Sequence, residues 1–200
     1  VDVERKNELA GNLHGKGMMI SEACLASILE LPSQLPFSAS LVFEQSYGEI
    51  DGDSASLAIF SVLVSALSDL PLPQNIAITG TIDQFGLVHA VGGVNDKIEG
   101  FFTICQRRGL TGKQGVIIPA TTIQQLSLSN EVVEAVKNEQ FFIYQVEDIY
   151  QTAKILFGRD LLEEKEEYAK GKEPIARLIQ NRIAFRSETP KKNWLDFFKS

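Results

Sequence analysis

The chain has 200 residues, of which 44% are hydrophobic and 22% charged, a composition typical of a soluble globular protein that excludes disordered and collagen-like classes. Its apolar runs, such as residues 59–67, are interrupted by serines and are shorter than the roughly 20 residues of a membrane-spanning helix, so we expect no membrane association. The net charge is −7, and residues 1–158 hold 9 Lys and Arg against 18 Asp and Glu, which argues against a broad basic surface for nucleic acid.

The first third of the chain predicts two short strands and two helices. Apolar runs at 17–20 and 38–46 favour strands, and the segment from Ser21 to Leu31 between them favours a helix with Ser21 as its cap. The segment SASLAIFSVLVSALSDL, which begins at Ser54, has apolar residues at helical spacing and gives the strongest helix signal. Two prolines end that helix.

The middle of the chain alternates strands and helices. The segment NIAITGTIDQFGLVHAVGG predicts a β-hairpin that turns near residues 83–86. Downstream, the pattern predicts helices at 95–108, 131–137 and 146–157 and strands at 116–118 and 141–145. The fold class is therefore mixed α/β. After Gly158 the charged pattern LLEEKEEYAKGKEPIARLIQNRI predicts a helical extension broken at GKEP, so we divide the chain into a domain at 1–158 and an extension at 159–200.

The N-terminus VDVERKNELA has neither an initiator Met nor the apolar region of a signal peptide, so we expect a chain cut from a longer polypeptide. Cys24 and Cys105 lie 81 positions apart in apolar surroundings, which favours buried free thiols in a reducing, cytoplasmic compartment. With only His14 and His89 as histidines, a metal cluster has little support. A Ser-His-Asp triad through His89 is possible in principle, but a structural histidine with satisfied hydrogen bonds is favoured, because a triad needs a serine and an orienting acid that converge on it.

Ser54 and Lys97 are the residue types that could carry chemistry. Lys97 is the only Lys or Arg from residue 17 to residue 106. A lysine can act as the base for a serine nucleophile only when it is neutral, and burial favours that form. This burial could come from the apolar neighbours of Lys97 in sequence, which are Val94, Ile98, Phe101 and Phe102. The N–H groups at the start of the helix near Ser54 could stabilise an oxyanion. On residue types alone, Ser54 could equally be a helix cap and Lys97 a solvated residue.

The strings EIDGDSASLAIFSVLVSALS and ITGTIDQFGLVHAVGGVNDKIEGF, with RRGLTGKQGVIIPATT downstream, resemble the proteolytic domain of the Lon family of ATP-dependent proteases over about residues 11–158. That family pairs a serine in a DG-x-SA segment with a lysine just after a VGG turn, positions that match Ser54 and Lys97, 43 residues apart. The resemblance implies the Lon proteolytic-domain fold, with mixed sheets and packed helices. It also implies a serine endopeptidase with Ser54 as nucleophile, Lys97 as general base and Thr79 orienting the amine.

The resemblance further implies polypeptide substrates, either unfolded or regulatory proteins, and self-association into a ring, usually a hexamer. ATP and Mg²⁺ are expected only for an ATPase module elsewhere in a longer chain, with no cofactor or metal in this domain. Many Lon enzymes have proline immediately before the serine and glycine two residues after it, where this chain has Asp53 and Ser56, a pattern closer to the LonB-like branch.

Two acidic residues, Asp51 and Asp53, leave an alternative open. An ionised Asp53 beside Lys97 would favour the ammonium form and oppose its role as base. Asp53 could swing away on activation, or hold a resting state, or be a helix N-terminal acid favoured by the dipole. The alternative function is a catalytically silent module of the same fold that forms rings or binds partners. A weaker option is nucleic-acid binding through the basic tail, whose sensitivity to salt would be its signature.

Overall fold

The structure is a computed structural model, and it describes residues 12–30, 39, 41, 51–164 and 166–188. The helices are α1 (Asn12–Ile28), α2 (Ser56–Ser68), α3 (Val94–Arg108), α4 (Asn130–Lys137), α5 (Ile149–Phe157) and α6 (Ile175–Glu188), with a short 3₁₀ helix at Ala120–Gln125. The strands are β1 (Ile76–Ile78), β2 (Thr81–Ile82), β3 (Val88–His89), β4 (Gln114–Pro119) and β5 (Phe141–Val146).

The central feature is a parallel three-stranded sheet in the order β1-β4-β5. Ala77 pairs with Val116 and Val116 pairs with Ile143, so β4 lies in the middle and is hydrogen-bonded on both sides. A second sheet consists of the antiparallel pair β2 and β3, in which Thr81 lies opposite His89. The mixed α/β class is therefore confirmed.

Two hydrophobic clusters cover the two faces of the sheet. Because successive side chains of a strand point to opposite faces, Ile117 joins one cluster whereas Val116 and Ile118 join the other. Helices α3 and α4 cover the Val116 face, where Phe102 and Phe141 meet edge to face with ring centroids 5.2 Å apart. The opposite face packs against a cluster built mainly from α1, α2, α5 and α6.

Helix α1 overturns the expectation for the N-terminal region. The run at 17–20 is helical rather than a strand, and Ser21 lies inside the helix rather than at its cap. Met18, Ser21 and Leu25 are buried at helical spacing, and a short apolar run alone does not distinguish a buried strand from a buried helix. Most of the strand expected at 38–46 lies outside the described residues. The described Ala39 and Leu41 pack against the α1 cluster.

The predicted hairpin is confirmed only in its second half. Thr81 to His89 form the hairpin, whereas Ile76–Ile78 belong to the parallel sheet. The predicted elements at 95–108, 116–118, 131–137 and 141–145 are confirmed to within two residues, and the helix predicted from residue 146 begins at Ile149 instead.

The C-terminal region is helical only after GKEP. The described residues of 161–174 form no helix, and α6 begins at Ile175, directly after Pro174. The prediction of a helix before GKEP is therefore wrong. Ile175 and Ile179 are fully buried in the same cluster as α1 and α2. The division of the chain at residue 158 stays a prediction.

Candidate active site

Ser54 lies in a turn at residues 53–55, immediately before helix α2. The N-cap residue is Ala55, whose side chain makes no capping hydrogen bond, so the interpretation of Ser54 as the helix cap is wrong. The turn is held by its own backbone and by the neighbouring strand. Ser56 N–H donates to the Asp53 carbonyl at 2.9 Å, and Gly80 N–H donates to the Ser54 carbonyl at 3.0 Å. Ser54 is therefore held at a fixed position beside the segment that links β1 to β2.

Thr79 occupies that linking segment, where the chain leaves the parallel sheet and enters the hairpin. Its backbone N–H donates to the Ile117 carbonyl at 3.1 Å, and its side chain is largely buried. The Thr79 hydroxyl makes a long contact of 3.5 Å with the carbonyl oxygen of Ser54. Thr79 thus connects the Ser54 turn to the central strand β4 and holds the two at a fixed distance.

Lys97 lies in the first turn of helix α3, and its Nζ donates to the Thr79 Oγ1 at 3.2 Å. The helix begins after Gly93, which has a φ of 65°, a left-handed conformation that glycine adopts without strain. Lys97 N–H donates to the Gly93 carbonyl at 3.0 Å. The turn after the VGG segment therefore directs Lys97 toward Thr79, which also contacts the Ser54 turn. Thr79 therefore contacts both the Lys97 nitrogen and the backbone of the Ser54 turn.

The environment of Lys97 differs from the expected one. Val94, Ile98 and Phe102 are buried beneath helix α3, in the cluster against the sheet, whereas Lys97 itself is exposed. The expectation that these neighbours remove water from Lys97 is wrong, because residues adjacent in a helix project in different directions.

The acidic residues lie at the start of the turn. The Asp53 carboxylate accepts a hydrogen bond from the Thr81 hydroxyl at 3.4 Å, and Asp51 is exposed. Across the part of the chain that the structure describes, no ion pair joins Asp53 to Lys97. In this conformation Asp53 contacts the hairpin and not the lysine.

Ser56 has a role in the site that sequence reasoning missed. Its side chain is fully buried, and its Oγ accepts a hydrogen bond from the Ile82 N–H at 2.9 Å. The only sequence signal was the departure from glycine at this position. Since Ile82 is also buried, the hydroxyl satisfies a backbone donor that water cannot reach.

His89 lies outside this arrangement, at the base of the hairpin turn. Its Nε2 lies 2.8 Å from the Asp83 Oδ2, while the other carboxylate oxygen accepts from the N–H groups of Phe85 and Leu87. Burial acts to raise the pKa of Asp83, but the hydrogen bonds from His89 and the two N–H groups outweigh it and lower the pKa. Within the described ranges, no group of three or more His, Cys, Asp or Glu could hold a metal ion.

The two cysteines are buried free thiols, as expected. Burial, together with the charge of Asp83, raises the pKa of the Cys24 thiol to about 12. Burial also raises the pKa of Cys105, against a smaller opposing effect of Arg108. No helix in the described segments is long and apolar enough to cross a membrane.

Residues 48–158, more than half of the chain, match the family model of the Lon protease (S16) C-terminal proteolytic domain. The chain belongs to this family of protease domains, which bears out the resemblance found in the sequence. The matched range contains Ser54, Thr79 and Lys97, whereas helix α1 lies before it.

Three relatives support the same assignment. A protein of Haemophilus influenzae, named only as a homolog of Lon protease, is 76% identical over 200 residues, which are all of this chain and 33% of the relative. A protein of the same description from Escherichia coli is 50% identical over 204 residues, 98% of this chain and 34% of that protein. An archaeal Lon protease of Methanocaldococcus jannaschii is 37% identical over 118 residues, 59% of this chain and 16% of that protein. The chain spans about a third of the length of the first two relatives.

Proposed function

We propose that this protein is a serine endopeptidase in which Ser54 is the nucleophile and Lys97 the general base. The observation that carries the proposal is the contact of Lys97 Nζ with Thr79 Oγ1 at 3.2 Å, beside the turn that contains Ser54. A serine hydroxyl becomes an effective nucleophile only when a neighbouring base removes its proton. Lys97 is the only Lys or Arg in the sequence between residues 17 and 106, and its nitrogen contacts the segment beside Ser54.

In the acylation step the Ser54 Oγ attacks the carbonyl carbon of the scissile peptide while neutral Lys97 takes the hydroxyl proton. The resulting ammonium then gives this proton to the leaving amine nitrogen, the C–N bond breaks, and the acyl group remains on Ser54. Water then attacks the ester carbonyl carbon while Lys97 takes a proton from the water, the bond from the acyl carbon to Ser54 Oγ breaks, and Lys97 returns the proton to Ser54 Oγ as the carboxylic acid product leaves. Thr79 orients the amine throughout, because its hydroxyl contacts the Lys97 nitrogen.

Backbone N–H groups provide the stabilisation of the oxyanion. Ser56 N–H and Leu57 N–H, at the start of α2, already donate to the carbonyls of Asp53 and Gly80. We therefore assign the oxyanion to the N–H groups of Ser54 and Ala55, just upstream, where donors directed at the developing charge have their largest effect.

Lys97 must lose contact with water before it can act as a base, because hydration stabilises the ammonium form. Lys97 is exposed among the residues that the structure describes, and we propose that the cover comes from the bound polypeptide or from a neighbouring copy of the protein. A ring of subunits, a hexamer by resemblance to the family, would supply such a cover and enclose the site.

The finer features of the function are proposals of the same kind. We propose that the substrates are unfolded or regulatory polypeptides, delivered by an ATP- and Mg²⁺-dependent ATPase module in a longer chain. We also propose a cytoplasmic location. The resemblance to the Lon family suggests each of these features. The chain spans about a third of the length of the two bacterial relatives, and the remaining length of those proteins is sufficient for such a module.

A second candidate function is a catalytically silent module that forms rings or binds partners. The exposure of Lys97 favours it, because the residue assigned as the base is open to water in this conformation. The two candidates differ in whether Ser54 can be acylated.

The experiment that separates them is intact-mass detection of an adduct after treatment with a peptidyl β-lactone. We expect one acyl adduct on the wild type, mapped to Ser54, and none on Ser54→Ala or Lys97→Ala. The matched controls are Ser65→Ala, a serine farther along α2, and Lys113→Ala, an exposed lysine away from the site, and both should react like wild type. Equal labelling of Ser54→Ala would exclude Ser54 as the nucleophile, and no labelling of any protein would favour the silent module.

A further inference from the structure

Helix α1 packs directly against the turn that contains Ser54. A Cβ atom added to Gly17 would lie 3.4 Å from the Ser56 Cβ and 3.5 Å from the Asp53 Cα, so the helix backbone itself contacts the turn. Ser21 lies one helical turn after Gly17 and therefore on the same face. Both residues precede residues 48–158, the range that the family model matches.

Ser21 makes the polar connection between the two elements. Its hydroxyl is fully buried and lies 2.9 Å from the Gly17 carbonyl and 3.0 Å from the Ser56 carbonyl. The first contact lies within α1, four residues back, and the second crosses to the first residue of α2. A single hydroxyl proton is thus shared between the helix and the turn region.

The connection continues from Ser56 to the other side of the site. Ser56 Oγ accepts from the Ile82 N–H in strand β2, and Leu57 N–H donates to the Gly80 carbonyl at 3.2 Å. Gly80 N–H in turn donates to the Ser54 carbonyl. The turn with Ser54 is therefore held between α1 on one side and the segment from Thr79 to Ile82 on the other.

We propose that Ser21 is a positioning residue, which acts through Ser56 to fix the turn that presents Ser54 to the substrate. This proposal rests on the proposed function of Ser54. The mechanism requires Ser54 Oγ to lie within reach of both the scissile carbonyl and the lysine, and a misplacement of about 1 Å in such a geometry can cost on the order of 100-fold in rate.

The chain offers a closely matched control. Ser68 is also buried, lies near the end of α2, and its hydroxyl also bonds to the carbonyl four residues earlier, that of Val64, at 2.7 Å. Ser21→Ala and Ser68→Ala therefore remove the same atom and the same type of bond within a helix. Only Ser21→Ala also removes a bond between α1 and α2.

The test has two readouts on both variants. The first is the rate of Ser54 acylation by a peptidyl β-lactone at saturating reagent. We expect Ser21→Ala to be about ten-fold slower than Ser68→Ala with an unchanged half-saturating concentration, because the turn and not the binding surface is altered. The second readout is amide hydrogen exchange, in which Ser21→Ala should speed exchange at Leu57 and Gly80 and Ser68→Ala should not.

Each outcome decides the question. Equal acylation rates and equal exchange in the two variants would overturn the role of Ser21. If the wild type is not acylated, the proposed function fails, and the exchange measurement alone then decides whether Ser21 holds the turn. A Ser21→Thr variant keeps a hydroxyl at this position. If the hydrogen bond is the cause, amide exchange at Gly80 should be as slow in this variant as in wild type. Exchange as fast as in Ser21→Ala would contradict the proposal.

Discussion

Thr79 and Lys97, eighteen positions apart in sequence, meet through a hydrogen bond of 3.2 Å from the lysine nitrogen to the threonine hydroxyl. The contact exists because the chain changes sheets at Thr79. Strand β1 brings this residue to the edge of the parallel sheet, and the hairpin that follows returns the chain to the start of α3. The same threonine contacts the Ser54 carbonyl, so it joins the two residues to which we assign the chemistry.

Thr79→Val should lower the rate of Ser54 acylation by roughly ten-fold, because the isosteric valine cannot hold the lysine nitrogen in place. Thr79→Ser retains the hydroxyl and should retain most of the rate. The measurement is the saturated rate of β-lactone labelling by intact mass. A Thr79→Val variant that labels as fast as wild type would show that the hydroxyl does not orient Lys97.

Asp83 should make stability depend on pH in the acid range. Its pKa is lowered in the folded protein, so its contribution is fully present above the ordinary value of 3.8 and is lost as the pH falls below it. Asp83→Asn keeps an oxygen that can accept from the N–H groups of Phe85 and Leu87 but has no charge to titrate. In urea unfolding, the stability difference between wild type and Asp83→Asn should shrink between about pH 5 and pH 2.

Asp83→Ala separates the hydrogen bonds from the charge. It leaves the N–H groups of Phe85 and Leu87 without their side-chain acceptor, which should cost about 1 kcal/mol more than Asp83→Asn at neutral pH. Equal stability of the two variants would mean that these hydrogen bonds add nothing to the hairpin.

The thiols should react in a fixed order. Because the thiolate is the reactive form, a pKa of about 12 for Cys24 lowers its thiolate fraction at pH 8 by about 1000-fold relative to an ordinary thiol of pKa 9.0. Cys105 is also buried, but it lines a surface cleft of about 330 Å³ with Phe101 and Arg108, and this cleft gives a reagent a path to it. With an aromatic disulfide reagent, Cys105 should react first and Cys24 only on unfolding, and Cys105→Ser should abolish the native phase.

The sequence predicted the elements whose patterns are local. Strand β4 is a short apolar run ended by a proline, and α4 begins after Ser129, whose side chain accepts from the Val132 N–H. Ser54, Thr79 and Lys97 could be identified as a group only through the family's motifs. Their meeting depends on the pairing of β1 with β4, a contact between distant parts of the chain that local patterns do not encode.

The errors have physical reasons of the same kind. The short apolar run at 17–20 fits the pattern of a strand as well as that of a helix. Helix α1, which contains the run, is stabilised by its contacts with α2 and not by a pattern within its own sequence. Lys97 was expected to be buried because its sequence neighbours are apolar, yet those neighbours face the sheet and the lysine does not. Ser56 could not be recognised as a link because its partners, Ser21 and Ile82, come from two other elements.

Two glycines of the domain should respond to alanine in opposite directions. Gly100 lies in α3, is exposed, and a Cβ there would meet no atom within 4 Å, so Gly100→Ala should raise the free energy of unfolding by about 1 kcal/mol through the better helix propensity of alanine. At Gly115 in the central strand, a Cβ would lie 2.7 Å from the Phe142 carbonyl oxygen. Because that oxygen belongs to the backbone of β5, it cannot move without disturbing the pairing of the two strands, and Gly115→Ala should cost about 1–3 kcal/mol. Urea unfolding of both variants measures the difference, and a loss of stability in Gly100→Ala would contradict the exposed helical position assigned to that residue.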